Sequence, residues 1–219
     1  MLKIIYSDDF IAVALKPRGV LSEGGTPGGM PELLRNECGG DFRSVHRLDR
    51  ETAGLMVFAR GAEAAAALSA ALQAGRFRKE YAAVVHGVPT PPEGEYRDLL
   101  YRDARANKTY LVTRPRRGVR EAVLTYRTEA TVKTANATFS LVAIRLGTGR
   151  THQIRAQFAG RGMPLFGDGR YGGRERAPLG LFACALSFPH PMTGKRLSFR
   201  EALPEEEAFL LFADSGKNG

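Results

Sequence analysis

The order of local patterns limits the fold more than any other feature. Short strand-like apolar runs recur along the whole chain, and only one segment carries a sustained helical period. Residues 3–6 (KIIY) and 11–15 (IAVAL) read as two strands joined by a polar Ser-Asp-Asp turn, and Pro17-Arg18-Gly19 ends the pair. Residues 22–30 (SEGGTPGGM) read as a mobile Gly-rich loop. Residues 54–59 (GLMVFA) read as a buried strand. Residues 62–74 are Ala-rich with Leu68 and Leu72 four apart, and Gly75 stands where a helix C′ residue would, so a helix is expected there. Residues 80–86 read as a strand that Pro89-Thr90-Pro91-Pro92 ends. Residues 121–129 and 137–146 read as further strands, and Thr151 is placed to cap a short helix through Ala159 that stops at Gly160. Residues 181–188 and 196–199 close the series as a strand pair across Pro191-Met192-Thr193-Gly194. Strands with scattered, non-alternating helices argue for an α+β fold rather than a regular βαβ series.

Composition narrows the class. With 219 residues, 43% hydrophobic and 25% charged, the chain has enough core to fold unstapled. No apolar run approaches the roughly 18 residues of a membrane span, and the first residues lack the pattern of a signal peptide. Cys38 and Cys184 fit neither a disulfide framework nor a zinc spacing, and are read as reduced thiols of a cytoplasmic protein. The net charge is +9, carried mostly by arginine. Arginine pairs bidentately with phosphate and stacks on bases, so this excess suggests a nucleic-acid partner as well as a simply soluble surface. The charge is concentrated. Residues 97–127 hold Arg97, Arg102, Arg105, Lys108, Arg114, Arg116, Arg117, Arg120 and Arg127 against Asp98, Asp103 and Glu121. Residues 145–176 are also strongly basic, and the tail from Glu201 is acidic.

Common catalytic signatures are absent. No H-E-x-x-H, C-x-x-C, G-x-S-x-G or G-x-G-x-x-G helix opening occurs, and the four histidines are dispersed. The expectation is chemistry without metal or cofactor. Two segments stand out. In Ser44-Val45-His46-Arg47-Leu48-Asp49-Arg50-Glu51-Thr52-Ala53-Gly54-Leu55, Asp49 lies between two arginines just before a buried strand. Neighbouring guanidiniums favour the ionised carboxylate, which can serve as a nucleophile; an Asx-turn residue would look the same. In Gly147-Thr148-Gly149-Arg150-Thr151-His152-Gln153-Ile154-Arg155, two arginines, a histidine and a glutamine open the short helix, with Thr151 and Arg155 on one face. That suits anion binding or a merely exposed basic helix.

Together, HRLDRETAGL and GTGRTHQIRAQ resemble two signature motifs of the RluA-type pseudouridine synthases. Lys79-Glu80-Tyr81, Phe166-Gly167-Asp168-Gly169-Arg170-Tyr171-Gly172 and Leu186-Ser187-Phe188-Pro189-His190-Pro191 add collinear matches, and DDFIAVALKPRGV resembles the family's opening. Ala53 and Phe182 depart from the usual Ser and His.

The resemblance implies a mixed, largely antiparallel central sheet with flanking helices and a catalytic cleft, within one catalytic domain over 1–212 and a flexible tail over 213–219. No separate N-terminal S4-type domain is expected, so target choice would come from the core or from loops such as 97–127. It implies isomerisation of uridine to pseudouridine in ribosomal or transfer RNA, with no cofactor, no metal, no membrane, no obligate protein partner and a monomer. Asp49 would be the catalytic carboxylate, and Arg155 would hold it ionised. Tyr81 would pack on the target base and help remove the C5 proton. Arg47 would fill the space left by the flipped nucleotide. Arg150, His152 and Gln153 would line the site or meet RNA backbone, and Arg116 and Arg117 would bind RNA. A non-catalytic RNA-binding or ribosome-assembly protein on the same fold, and a nucleoside or glycoside hydrolase using Asp49, remain the alternatives.

Overall fold

The structure is a computed structural model that describes residues 2–24 and 28–213. In chain order it forms β1 (Ile4–Ser7), β2 (Ile11–Lys16), α1 (Met30–Cys38), β3 (Phe42–Ser44), β4 (Ala53–Arg60), α2 (Gly61–Gln73) and β5 (Arg78–His86). There follow β6 (Glu93–Asp103), β7 (Lys108–Val112), β8 (Val119–Lys133), β9 (Thr138–Leu146), α3 (Gln153–Ala159), β10 (Leu181–Pro189), β11 (Arg196–Arg200) and α4 (Glu207–Leu210). The fold is α+β, with mostly antiparallel strands and few helices. Two compact units divide it, one from 1–79 with 183–202 and the other from 80–182 with 203–219.

In the first unit the strand order is β1-β2-β4-β10, with β11 on β10 and β3 on β4. Strands β2 and β4 pair antiparallel, setting Ile11 opposite Ala59, Val13 opposite Val57 and Leu15 opposite Leu55. That face packs on Ala64, Leu68 and Ala71 of α2 and on Phe188 of β10. The opposite face, with Ala12, Ala14, Met56 and Phe58, is equally buried. Burial on both faces explains why these strands read as continuous apolar runs rather than alternating ones. Helix α2 ends as expected. Gly75 has φ +68, its N–H donates to Leu72 O, and the Arg76 N–H donates to Ala71 O. These are the two bonds of a Schellman close, which satisfies the last carbonyls.

In the second unit the order is β5-β9-β8-β6-β7. Helix α3 lies on β6 and β8, with Ala156 against Leu100 and Ala122. Gln157, fully buried, donates through Nε2 to Asp98 Oδ2 (2.7 Å) and Tyr96 O (3.2 Å), which fixes the helix to β6. Tyr96, Tyr126 and Phe158 form an aromatic cluster beside it, with ring centroids 4.4–5.9 Å apart.

Several expectations need correction. The basic stretch 97–127 is largely strand, in β6, β7 and β8; only the connection around Arg114–Gly118 and the 104–107 turn are loop. Its arginines stand on solvent-facing positions while Tyr96, Leu100, Ala122 and Leu124 point inward. The Gly-rich loop gives way to α1 at Met30, and residues 25–27 lie outside the described residues. Residues 214–219 of the expected tail also lie outside them. Thr151 does not cap α3. The N-cap is His152, left-handed at φ 52, so Thr151 and Arg155 do not share a helical face.

Gly54 opens β4 at the end of the Asp49 segment with φ +136, and a Cβ there would sit 2.5 Å from the backbone N and O of Ala183. Both constraints demand glycine. We expect Gly54→Ala to lower stability by roughly 1–3 kcal/mol through overpacking and backbone strain, measured by urea unfolding. An unchanged midpoint would contradict the close approach.

Candidate active site

The Asp49 segment is held by its backbone from several sides. Ser22 Oγ donates to Leu48 O (2.8 Å) and accepts the Leu48 N–H (3.0 Å), so one hydroxyl clamps the residue before Asp49. Arg50 O accepts the Gly19 N–H (2.9 Å), and Arg50 Nε returns a bond to Gly19 O (2.8 Å). Arg18 Nη1 donates to Glu51 O (2.6 Å). The Thr52 N–H donates to Asp49 O (3.0 Å), closing a tight turn before β4. Leu48 is buried, Asp49 is partly exposed, and Arg47 and Arg50 face solvent. The result is a carboxylate on a fixed backbone between two exposed guanidiniums. Such preorganisation is what a positioned nucleophile needs.

Two basic groups, Lys16 fully buried and His46 half-buried, stand beside this turn. Lys16, with no exposed surface, ends β2. Its Nζ donates to Pro17 O (2.8 Å), Val20 O (2.8 Å) and Arg50 O (3.1 Å). Burial pulls its pKa down to about 8, partly countered by the negative charges of Glu51 and Asp49. His46 Nε2 accepts the Val57 N–H (3.1 Å). Burial, with Lys79 adding to it, pulls that imidazole down to about 3, so it is neutral at physiological pH with its proton on Nδ1. The buried Nδ1 meets no partner among the described residues.

The sign of the Lys16 effect follows from its lowered value. Between about pH 8 and its ordinary value of 10.5 the unfolded chain holds this proton and the folded chain does not, so the linked stability rises with pH across that window. The neutral amine nevertheless has one donor fewer for its three carbonyls. We therefore expect kcat/KM to fall with an apparent pKa of about 8, and the limb to vanish, on a lower plateau, in Lys16→Met. A limb unchanged in that variant would contradict the assignment.

In the second unit Arg155 is the centre of a buried polar cluster. Every residue of α3 from Gln153 to Phe158 is buried. Arg155 Nε and Nη2 each donate to Asp168 at 2.7 Å, a bidentate pair with side-chain exposures of 7% and 0%. The Arg155 guanidinium also lies 5.1 Å from the Tyr171 ring centroid. The Tyr171 hydroxyl accepts the Thr109 N–H (2.8 Å) and bonds His152 Nδ1 (3.0 Å). Burial raises the pKa of that phenol. His152 is thus held in a strained left-handed conformation by a side-chain bond, and such strain clusters at functional sites. Asp168 and Tyr171 belong to a quoted motif, but nothing in their spacing announced that they would grip Arg155. Breaking a buried pair strands a charge, so Asp168→Asn should cost about 3–5 kcal/mol in stability, measured by denaturant unfolding. A loss below 1 kcal/mol would show that Arg155 finds equal solvation elsewhere.

The remaining expected residues are dispersed by role. Tyr81 is buried on β5, opposite Ile144 of β9. Gln153 is occupied within the fold. Its Oε1 accepts from Thr148 Oγ1 (2.8 Å) and the Arg150 N–H (3.0 Å), and its Nε2 donates to Val123 O (3.0 Å). It therefore shapes the 147–150 turn. Arg150 is exposed, with Nε on Glu121 O (3.0 Å). Arg116 and Arg117 are exposed on the β7–β8 connection. Among the described residues no group of three or more His, Cys, Asp or Glu could hold a metal ion, and no helix is long and apolar enough to cross a membrane.

Comparison with known proteins agrees with the motifs. The RNA pseudouridylate synthase family model matches residues 11–160. The chain is 34% identical over 232 residues to an uncharacterized RNA pseudouridine synthase of Bacillus subtilis, covering 100% of this chain and 74% of that protein. It is also 34% identical over 232 residues to ribosomal large subunit pseudouridine synthase D of Vibrio vulnificus, covering 94% and 68%. The solved structure of human RNA pseudouridylate synthase domain containing 1 superposes with a TM-score of 0.80 at 25% identity, covering 93% of this chain and 84% of that one. The resemblance to RluA-type enzymes is borne out, and with it the α+β fold. The chain belongs to the RNA pseudouridylate synthase family and is an isomerase acting on RNA.

Proposed function

We propose that Asp49 is the catalytic carboxylate of this isomerase, acting on a uridine turned out of the RNA stack. The carrying observation is the clamped turn itself: its backbone is bonded at Leu48, Asp49, Arg50 and Glu51, while the Asp49 side chain keeps partial exposure. In the reaction the N1–C1′ bond breaks, the uracil turns, C5 joins C1′, C5 gives up its proton and the freed N1 takes one up. No external reactant is consumed. The reacting atoms are inaccessible in a stacked helix, so the nucleotide must be extruded first. Arg47 suits the vacated space. It is half-exposed and, among the described residues, its ion pair is with exposed Glu23 at 3.2 Å, a contact worth about 0–1 kcal/mol that RNA phosphate can replace.

Tyr81, rigid in β5, is assigned to packing against the base, and Arg155 to keeping Asp49 ionised. Arg150 and His152 are assigned to the RNA-facing edge, and residues 1–212 to one catalytic domain. Ribosomal RNA is the first substrate to try, since a relative is named for the large ribosomal subunit; transfer RNA is the second.

Asp49→Asn should abolish tritium release from [5-³H]uridine-labelled transcripts while preserving fold and RNA affinity. Turnover retained above a few per cent would remove Asp49 from the chemistry. Replacing Arg116 and Arg117 together should weaken RNA binding and lower the slope of log K against log salt by about 1–2. An unchanged slope would place that loop away from RNA.

A further inference from the structure

The β6–β7–β8 sheet has two faces. One, with Leu100 and Ala122, is covered by α3. The other carries Leu99, Tyr101, Tyr110 and Val112, of which Tyr110 is exposed and the other three are half-buried. Tyr101 and Tyr110 are direct cross-strand partners. Tyr110 is 42% exposed, the most exposed tyrosine among the large hydrophobics at the surface. The Arg116 guanidinium sits 4.4 Å from the Tyr101 ring centroid, and Lys108 Nζ 5.6 Å from that of Tyr110. Arg114, Arg116 and Arg117, on the connection from β7 to β8, are exposed, and among the described residues no acidic side chain pairs with them; Glu121, opposite Leu99, is held by Arg97 at 3.1 Å. Lys108 Nζ also lies 5.1 Å from the Tyr171 ring centroid, so the edge of this face meets the Arg155 cluster.

Adjacent cross-strand aromatic rings, one of them exposed and both bordered by basic groups, are the parts of a base-stacking platform. We propose that this face binds an unpaired segment of the substrate RNA. One base stacks on Tyr110, the next on the Arg116–Tyr101 pair, and the phosphates follow Arg114, Arg116 and Arg117. The proposal rests on RNA being the substrate and names the form in which this face receives it. A duplex keeps its bases stacked on one another, so it would meet the arginines and leave both rings unused. An acidic peptide would satisfy the arginines but has no π-face for the tyrosines.

The chain contains no tryptophan, so Tyr110→Trp introduces a single reporter. An oligouridylate of about 12 nucleotides should quench the introduced indole, whereas a hairpin duplex of similar length and polyglutamate should not. By filter binding, Tyr110→Ala should weaken oligouridylate affinity about tenfold with an unchanged salt slope, and Tyr110→Phe should restore it. Equal affinity of Tyr110→Ala and wild type would overturn the platform, as would quenching by duplex or polyglutamate that matches oligouridylate. Tritium release by the wild type is followed separately. Release without oligouridylate quenching sinks the platform alone. Quenching without release from any transcript supports the platform and removes the Asp49 chemistry.

Discussion

A buried ammonium organises the turn on which the catalytic proposal rests. Lys16 sits at the end of β2 with no exposed surface, and three carbonyls surround its Nζ. A charge without such partners would be intolerable in that position, so the surrounding backbone must curl to supply them. Two carbonyls come from the Pro17–Val20 turn and the third from Arg50, beside Asp49. One cation thereby ties the chain after β2 to the chain before β4. Bonds from Gly19, Arg18 and Ser22 then reinforce the same junction. The proposed catalytic carboxylate stands on a backbone fixed by these bonds, and its neighbours Arg47 and Arg50 remain on the surface.

The second unit solves a related problem differently. Arg155 is buried on a short helix that exposes almost nothing, and its guanidinium is met by a bidentate carboxylate and an aromatic ring. Gln153 and Gln157 serve the same helix, bonding β8 and β6 through their amides. Residues that look like RNA contacts in a basic motif are therefore partly internal fasteners. Gln153 is the clearest case, since both ends of its amide are already engaged.

Much of this was legible in the sequence, for identifiable reasons. Strands β2, β4 and β5 are apolar on both faces, and β9 alternates, so each announced itself. Helix α2 was marked by Leu68 and Leu72 and by the glycine that closes it. Strands β6 and β7 were hidden because their exposed positions carry arginine, aspartate and glutamate, which mask the inward Tyr96 and Leu100. Helix α1 was hidden by its nine-residue length and the glycines before it. The N-terminus of α3 was misread because a left-handed His152, secured by Tyr171, replaces a hydroxyl cap. Asp49, Tyr81 and Arg155 came from collinear motifs. The Lys16 anchor and the Asp168 grip depend on contacts across the chain that no local pattern encodes, and the Tyr101–Tyr110 pair depends on the register of a hairpin whose strands were themselves hidden.

The central claim is that an anchored carboxylate moves a uracil within one nucleotide without releasing it. Its most direct test is single-turnover reaction of RNA labelled with carbon-14 in the uracil ring, followed by digestion to nucleosides and chromatography. The account predicts label shifting from uridine to pseudouridine with none as free uracil. Free uracil would identify a hydrolase, and unchanged uridine in a tightly bound RNA would identify a binding protein.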